Sequence, residues 1–154
     1  MMPVTHQSCN IIHFYVMETL NALSARSLQF YVMAKHWASD LEFFKLESAF
    51  FDKLINEHFV HSDDVVRVEQ VLMLTGKINR LKMDEEITCI LLTEQLKQLE
   101  LMAEDLIPEI IDNVKGKQVK LEYLVTNLTR EFRQVKKELF SAIESIIKQN
   151  RLLA

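Results

Sequence analysis

Glycine and proline are nearly absent, two of each in 154 residues. A many-stranded fold needs a turn every few residues, and this chain lacks the residues that make turns. A few long helices are expected instead. Cysteine is as rare, and Cys9 and Cys89 show no metal-type spacing. They read as buried or idle thiols of a reducing cytosol. The N-terminal stretch MMPVTHQSCN carries no basic residue ahead of an apolar run, and Glu18, Asn21 and Arg26 interrupt the apolar stretch that follows. Neither a signal peptide nor a membrane span is expected, which points to a soluble, cytoplasmic protein. Charge of one sign is also lacking. The net value is −4, too mild to predict a nucleic-acid partner.

What is present is apolar periodicity, with hydrophobic residues making up 49% of the chain. At this length the chain is one domain, 1–154, able to bury a core without staples, with 1–10 as a flexible tail. The 3.6-residue period predicts four helical segments. The first spans about Ile11 to Trp37, on Ile12, Val16, Leu20, Leu23, Ser27, Phe30, Ala34 and Trp37. Ala38, Ser39 and Asp40 break it, with Asp40 as the next N-cap. The second spans about Leu41 to Thr75, on Phe43, Leu46, Phe50, Leu54, Val65, Val68 and Leu72, and Gly76 closes it. The third spans about Asp84 to Asn113, with Pro108 bending or ending it and Gly116 marking the next turn. The fourth spans about Val119 to Asn150, on Leu121, Leu124, Leu128, Phe132, Val135, Leu139, Ala142 and Ile146. Four amphipathic helices predict an all-α four-helix bundle.

In a bundle the informative residues are polar ones on apolar stripes, because burial without a partner is costly. A second stripe on the first segment reads Glu18, Ala22, Ala25, Gln29, Val32 and His36, with a carboxylate near one end and a histidine at the other. His36 is a ligand or a packing residue. On the second segment Glu57, His61 and Asp64 are spaced four and three, so they share one face. Carboxylate and imidazole together suit iron, manganese or zinc. The plainer alternative is a solvated edge. The third segment offers Glu94 and Glu100 without a histidine, and the fourth offers only apolar residues on its stripe. A metal site would therefore draw on the first two segments, completed by another subunit. Lys115, Lys117, Lys120, Arg130, Arg133, Lys136 and Lys137 gather around the start of the fourth segment and read as a solvated face. Strong DNA binding is not expected.

The stretch HWASDLEFFKLESAFFDKL, followed by DDVVRVEQVLMLTG, resembles the Dps proteins, the mini-ferritins. The likeness is carried by residues 20–76. In that family a His-Trp pair ends the first helix, a Phe-Phe and a Leu-His follow, and later carboxylates precede a glycine turn. The resemblance implies a ferritin-like bundle, a homo-oligomeric cage (a dodecamer), and ferrous iron bound and oxidised at a two-fold interface. Iron storage and protection against oxidative stress would follow, with ferroxidase activity. Residue by residue, His36 matches the first ligand and Glu69 the late glutamate. Glu47 stands where the family has its second histidine. Two further carboxylates fall at Phe51 and Val65, with Asp52 and Asp64 each one residue away. The implied iron ligands are thus His36, Glu47, Asp52, Asp64 and Glu69.

A ferritin-like bundle also needs a long crossover between its second and third helices. Eight residues between Thr75 and Asp84, about 27 Å fully extended, cannot cross a helix of about 40 Å. Either residues 76–90 form a shortened crossover or the bundle runs up-down-up-down. The competing expectation is a non-catalytic helical interaction protein, since FYVMETL and LQFYVM put aromatic residues on several faces.

Overall fold

The computed structural model describes residues 23–59 and 64–154, and among these the protein is all-α. Three helices are present: α1 Ala25–Phe59, α2 Val65–Ala103 and α3 Ile111–Leu152. None of them is long and apolar enough to cross a membrane.

Only the last expected helix is found close to where periodicity places it. Ala38, Ser39 and Asp40 do not break α1. Ala38 and Leu41 carry the buried stripe on in steps of three and four through Phe44, Ser48, Phe51, Ile55 and Phe59, while Ser39 and Asp40 face solvent. Serine and aspartate cost a helix interior about 0.5 kcal/mol each. Burying Leu41 and Phe44 returns about 1.5–3 kcal/mol each, so the helix continues. His36 and Trp37, expected at a helix end, therefore lie within α1. Gly76 and Gly116 end nothing. Both are exposed, lie inside α2 and α3, and lack positive φ. Residues 76–90, the expected crossover, are α-helix within α2.

The actual breaks have their own chemistry. At the start of α2, the Val66 amide donates to the Asp64 side chain at 3.1 Å, and Val68 donates to the Asp64 carbonyl at 3.0 Å. Asp64 is the N-cap. At the end of α2, Asp105 takes a left-handed φ of 54°. Its amide donates to the Met102 carbonyl at 3.1 Å, and the Leu106 amide donates to Leu101 at 2.9 Å. This is the paired closing pattern usually built on glycine, here carried by aspartate. Pro108 follows three residues later.

The chain divides into two compact units, residues 1–42 with 88–123, and 43–87 with 124–154. In the first, the apolar core includes Tyr31, Ala34, Leu92, Leu99, Val114 and Leu121, and among the described residues four polar side chains are buried with them: Ser27, Thr88, Gln95 and Gln118. Gln95 donates through Nε2 to the Val114 carbonyl at 3.0 Å and to Gln118 Oε1 at 3.2 Å. Gln118 Nε2 donates to the Phe30 carbonyl at 3.4 Å. The two amides tie all three helices of this unit together. In the second unit Phe132 stacks on Phe44 at 4.5 Å between ring centres and tilts against Phe51 at 6.2 Å. Leu74, Ile78, Leu81 and Leu139 complete that core, and Ser48 is its one buried polar side chain among the described residues.

Candidate functional site

The five expected iron ligands occupy five different settings. His36 is exposed on α1 in the first unit. The other four belong to the second. Glu47 accepts from Lys136 of α3, and Asp52 accepts from Lys82 of α2. Asp64 caps α2 and lies 3.7 Å from Arg67. Glu69 is exposed on α2. Glu47 and Asp52 are five residues apart, as are Asp64 and Glu69, which turns each pair about 140° around its helix. Helical geometry thus separates the members of each pair. Glu57 lies at the end of α1, 3.7 Å from Lys53. Its expected companion His61 lies outside the described residues, as do Glu18 and Cys9. Cys89 is half-buried on α2. Among the described residues no three His, Cys, Asp or Glu side chains gather to hold a metal ion.

The carboxylates of the second unit perform a different task. Each pair of its helices is joined by one lysine: Lys82 with Asp52 across α1 and α2, Lys136 with Glu47 across α1 and α3, and Lys77 with Glu138 across α2 and α3. Hydrogen bonds from Lys77 and Gln134 hold the Glu138 carboxyl below its ordinary range. A metal ion at Glu47 or Asp52 would first have to displace an ammonium group.

The first unit has its own ionisable cluster. Glu109, in the turn before α3, accepts from the hydroxyls of Ser24 and Ser27 and from the Ser24 amide at 3.4 Å. Ser24 Oγ also accepts from the Ser27 amide at 3.2 Å, capping α1. These donors hold the Glu109 carboxyl below its ordinary range. On α2, burial pushes the Glu100 carboxyl up, with Lys35 drawing it down and Glu104 adding to the rise. Burial, helped by Glu100, also pushes the Tyr31 hydroxyl up.

The surface holds the larger departure. Phe43, Leu46, Phe50, Val65, Val68 and Leu72, expected in the core, are exposed, and Leu54 is half-buried. The signal was in the doublets Phe43-Phe44 and Phe50-Phe51. Adjacent residues on a helix point about 100° apart, so each doublet sends one ring inward and one outward. Phe44 and Phe51 reach Phe132, while Phe43 and Phe50 remain 58% and 50% exposed with Leu46 at 71% between them. Apolar side chains at spacings of three and four form a stripe on the outer face of α1. Such a stripe is suited to covering another helix.

The basic residues around the start of α3 are exposed, apart from the half-buried Lys136. In the second unit a groove of about 430 Å³ is lined by Met73, Lys77, Lys137, Glu138 and Ser141. In the first unit one of about 480 Å³ is lined by Met102, Ile107, Pro108 and Lys117. Comparison of the chain with protein-family models, with curated proteins and with solved structures finds no match.

Proposed function

We propose that the chain is a helical assembly protein, acting by non-covalent docking through its outer apolar faces and carrying no chemistry of its own. The observation that carries this reading is the exposed stripe Phe43, Leu46 and Phe50, set on a helix whose opposite face is already fully packed. The stripe is surplus to the fold, and contact with another helix is what exposed aromatic rings at this spacing serve. The lysine partners of Glu47 and Asp52 support the same reading, because they commit these carboxylates to holding helices together.

The test is the native mass of the full, metal-free chain by light scattering, with and without Phe50→Glu. The expected outcome is a mass above the 18.1 kDa of one chain, falling towards that value in the variant while the unfolding temperature holds. A single-chain mass in both proteins, or a variant that unfolds, would overturn the proposal.

A narrower form of this reading is the mini-ferritin-like one. His36, Glu47, Asp52, Asp64 and Glu69 would contribute to iron sites completed by a neighbouring subunit of a dodecameric cage. The exposure of His36 and Glu69 favours it, since each is accessible to a partner. In that case metal-free protein would oxidise ferrous iron rapidly and His36→Ala would abolish this without changing the assembly's mass. Equal rates in the two proteins would remove the iron reading and leave the assembly reading intact.

A further inference from the structure

Two carboxylates in opposite circumstances stand at the two ends of the connection from α2 to α3, and both belong to the first unit. Glu109 is held by donors: the hydroxyls of Ser24 and Ser27 and the Ser24 amide all point at it. Each donor favours the ionised form, so a proton taken up there weakens the tie between the connection and the start of α1. Glu100 stands in the last turn of α2 under the reverse conditions. It is half-buried on a stretch that also buries Leu99, Met102 and Ala103, and its charge lies near the hydroxyl of buried Tyr31 of α1. The charged groups around it are Lys35 of α1, which draws it towards ionisation, and Glu104 of the turn that follows, which opposes ionisation.

The end of α2 does little to accommodate that charge. Its last turn holds no basic side chain, and the terminal carbonyls of a helix repel a further negative group. Carboxylates four residues apart repel each other as well. Asp105 then closes the helix in the left-handed conformation that favours glycine. Lys35 apart, each of these features makes the ionised form of Glu100 costly while the turn is closed. Unwinding the turn would let water reach the carboxylate.

We propose that the last turn of α2 and the connection behind it form a proton-sensitive latch, in which ionisation of Glu100 opens the turn and ionised Glu109 holds the connection to α1. The two titrations run against each other. The Glu100 carboxyl lies above its ordinary 4.5 and the Glu109 carboxyl below it. As pH rises from 4.5 through the folded value of Glu100, stability of the closed turn is lost. As pH falls from 4.5 through the folded value of Glu109, the tie to α1 is lost. The latch is therefore tightest in mild acid. Opening at neutral pH uncovers Met102, which lines the groove of about 480 Å³ together with Ile107 and Pro108. The latch does not rest on the assembly reading.

Amide hydrogen exchange on the full-length protein tests this, with rates corrected for the intrinsic pH dependence of exchange. Protection of residues 101–106, measured against residues 92–99 of the same helix, should be several-fold greater near the ordinary carboxyl value of 4.5 than at about pH 7. Glu100→Gln keeps the shape and carries no charge at any pH. It should raise protection at neutral pH to the acid level and remove the difference, whereas a side chain that only packs would shift both values alike. Equal protection at the two pH values in the parent would overturn the latch, as would a difference that survives in Glu100→Gln. A Glu100 carboxyl carbon titrating at or below 4.5 in the magnetic resonance spectrum of the parent would overturn it without any variant.

Discussion

The two units close their cores with different chemistry. In residues 43–87 and 124–154, the core is built on Phe44, Phe51 and Phe132 with aliphatic neighbours, and the ionic groups lie outside it in the Lys77, Lys82 and Lys136 pairs. In residues 1–42 and 88–123, Gln95 and Gln118 are buried in the core, as are Ser27 and Thr88. Stacked rings are worth area and dispersion, but they accept many arrangements of similar volume. A buried amide is less tolerant. Gln95 bonds the backbone at Val114 and the side chain of Gln118, which reaches the backbone at Phe30. A shift by one residue along any of the three helices would leave these groups unpaired in an apolar core, at about 1–3 kcal/mol each. The contrast separates two tasks within one chain. The aromatic unit closes on ring packing, and the amide unit on directional hydrogen bonds among three helices.

Four changes would break or sharpen that contrast. The largest effect belongs to the rings. Phe132→Ala removes the shared partner of Phe44 and Phe51 and should cost about 3–5 kcal/mol in denaturant unfolding. A cost below about 1 kcal/mol would show that the rings contribute little. The amide pair comes next. Gln95→Leu leaves the Val114 carbonyl and Gln118 without their donor and should cost about 1–3 kcal/mol. Adding Gln118→Leu should return part of that cost, because both polar partners are then removed. Gln95 Oε1 has no hydrogen-bond partner among the described residues, so its removal already offsets part of the cost of the single variant. Additive losses in the double variant would argue against the pair as a unit. Ser24→Ala removes the cap of α1 and a donor to Glu109, for about 1 kcal/mol, measured as faster amide exchange at the start of α1.

The smallest effect is a pH dependence. The folded Glu109 carboxyl is held below its ordinary value of 4.5. Its contribution is therefore present above pH 4.5 and lost as pH falls through the lower folded value. Glu109→Gln should lower stability at neutral pH and converge with the parent in acid, as read from unfolding midpoints across pH. A constant difference at every pH would place the effect in something other than this carboxylate.

How much of this was legible depends on the helix. α3 carries one apolar stripe from Leu121 to Ile146, and the structure buries it almost without exception, leaving Leu124 half-buried. α1 and α2 carry two stripes each, and periodicity alone does not say which faces inward. Phe43, Leu46 and Phe50 have the right spacing for a core and are outside it, because Phe44, Ser48, Phe51 and Ile55 fill the inner face with better continuity on both sides. The start of α2 was visible in principle. Ser62, Asp63 and Asp64 precede two valines, which is a capping signal as well as a carboxylate cluster. Glu47 and Asp52 were candidate ligands by resemblance and local spacing. What their spacing could not show is the lysine that meets each of them, since Lys82 and Lys136 come from helices distant in sequence.

Glycines 76 and 116 interrupt no helix, and a methyl group added to either would touch nothing within 4 Å. Neither position needs the freedom that glycine provides, and each lowers local helix propensity by about 1 kcal/mol relative to alanine. The turns around them are helical because Leu74, Ile78, Val114 and Gln118 are buried on either side. Helicity there is conferred by neighbours, not by local preference. Cut out as peptides, these turns would be largely unwound in water, and the two helices acquire their full length only as the chain packs.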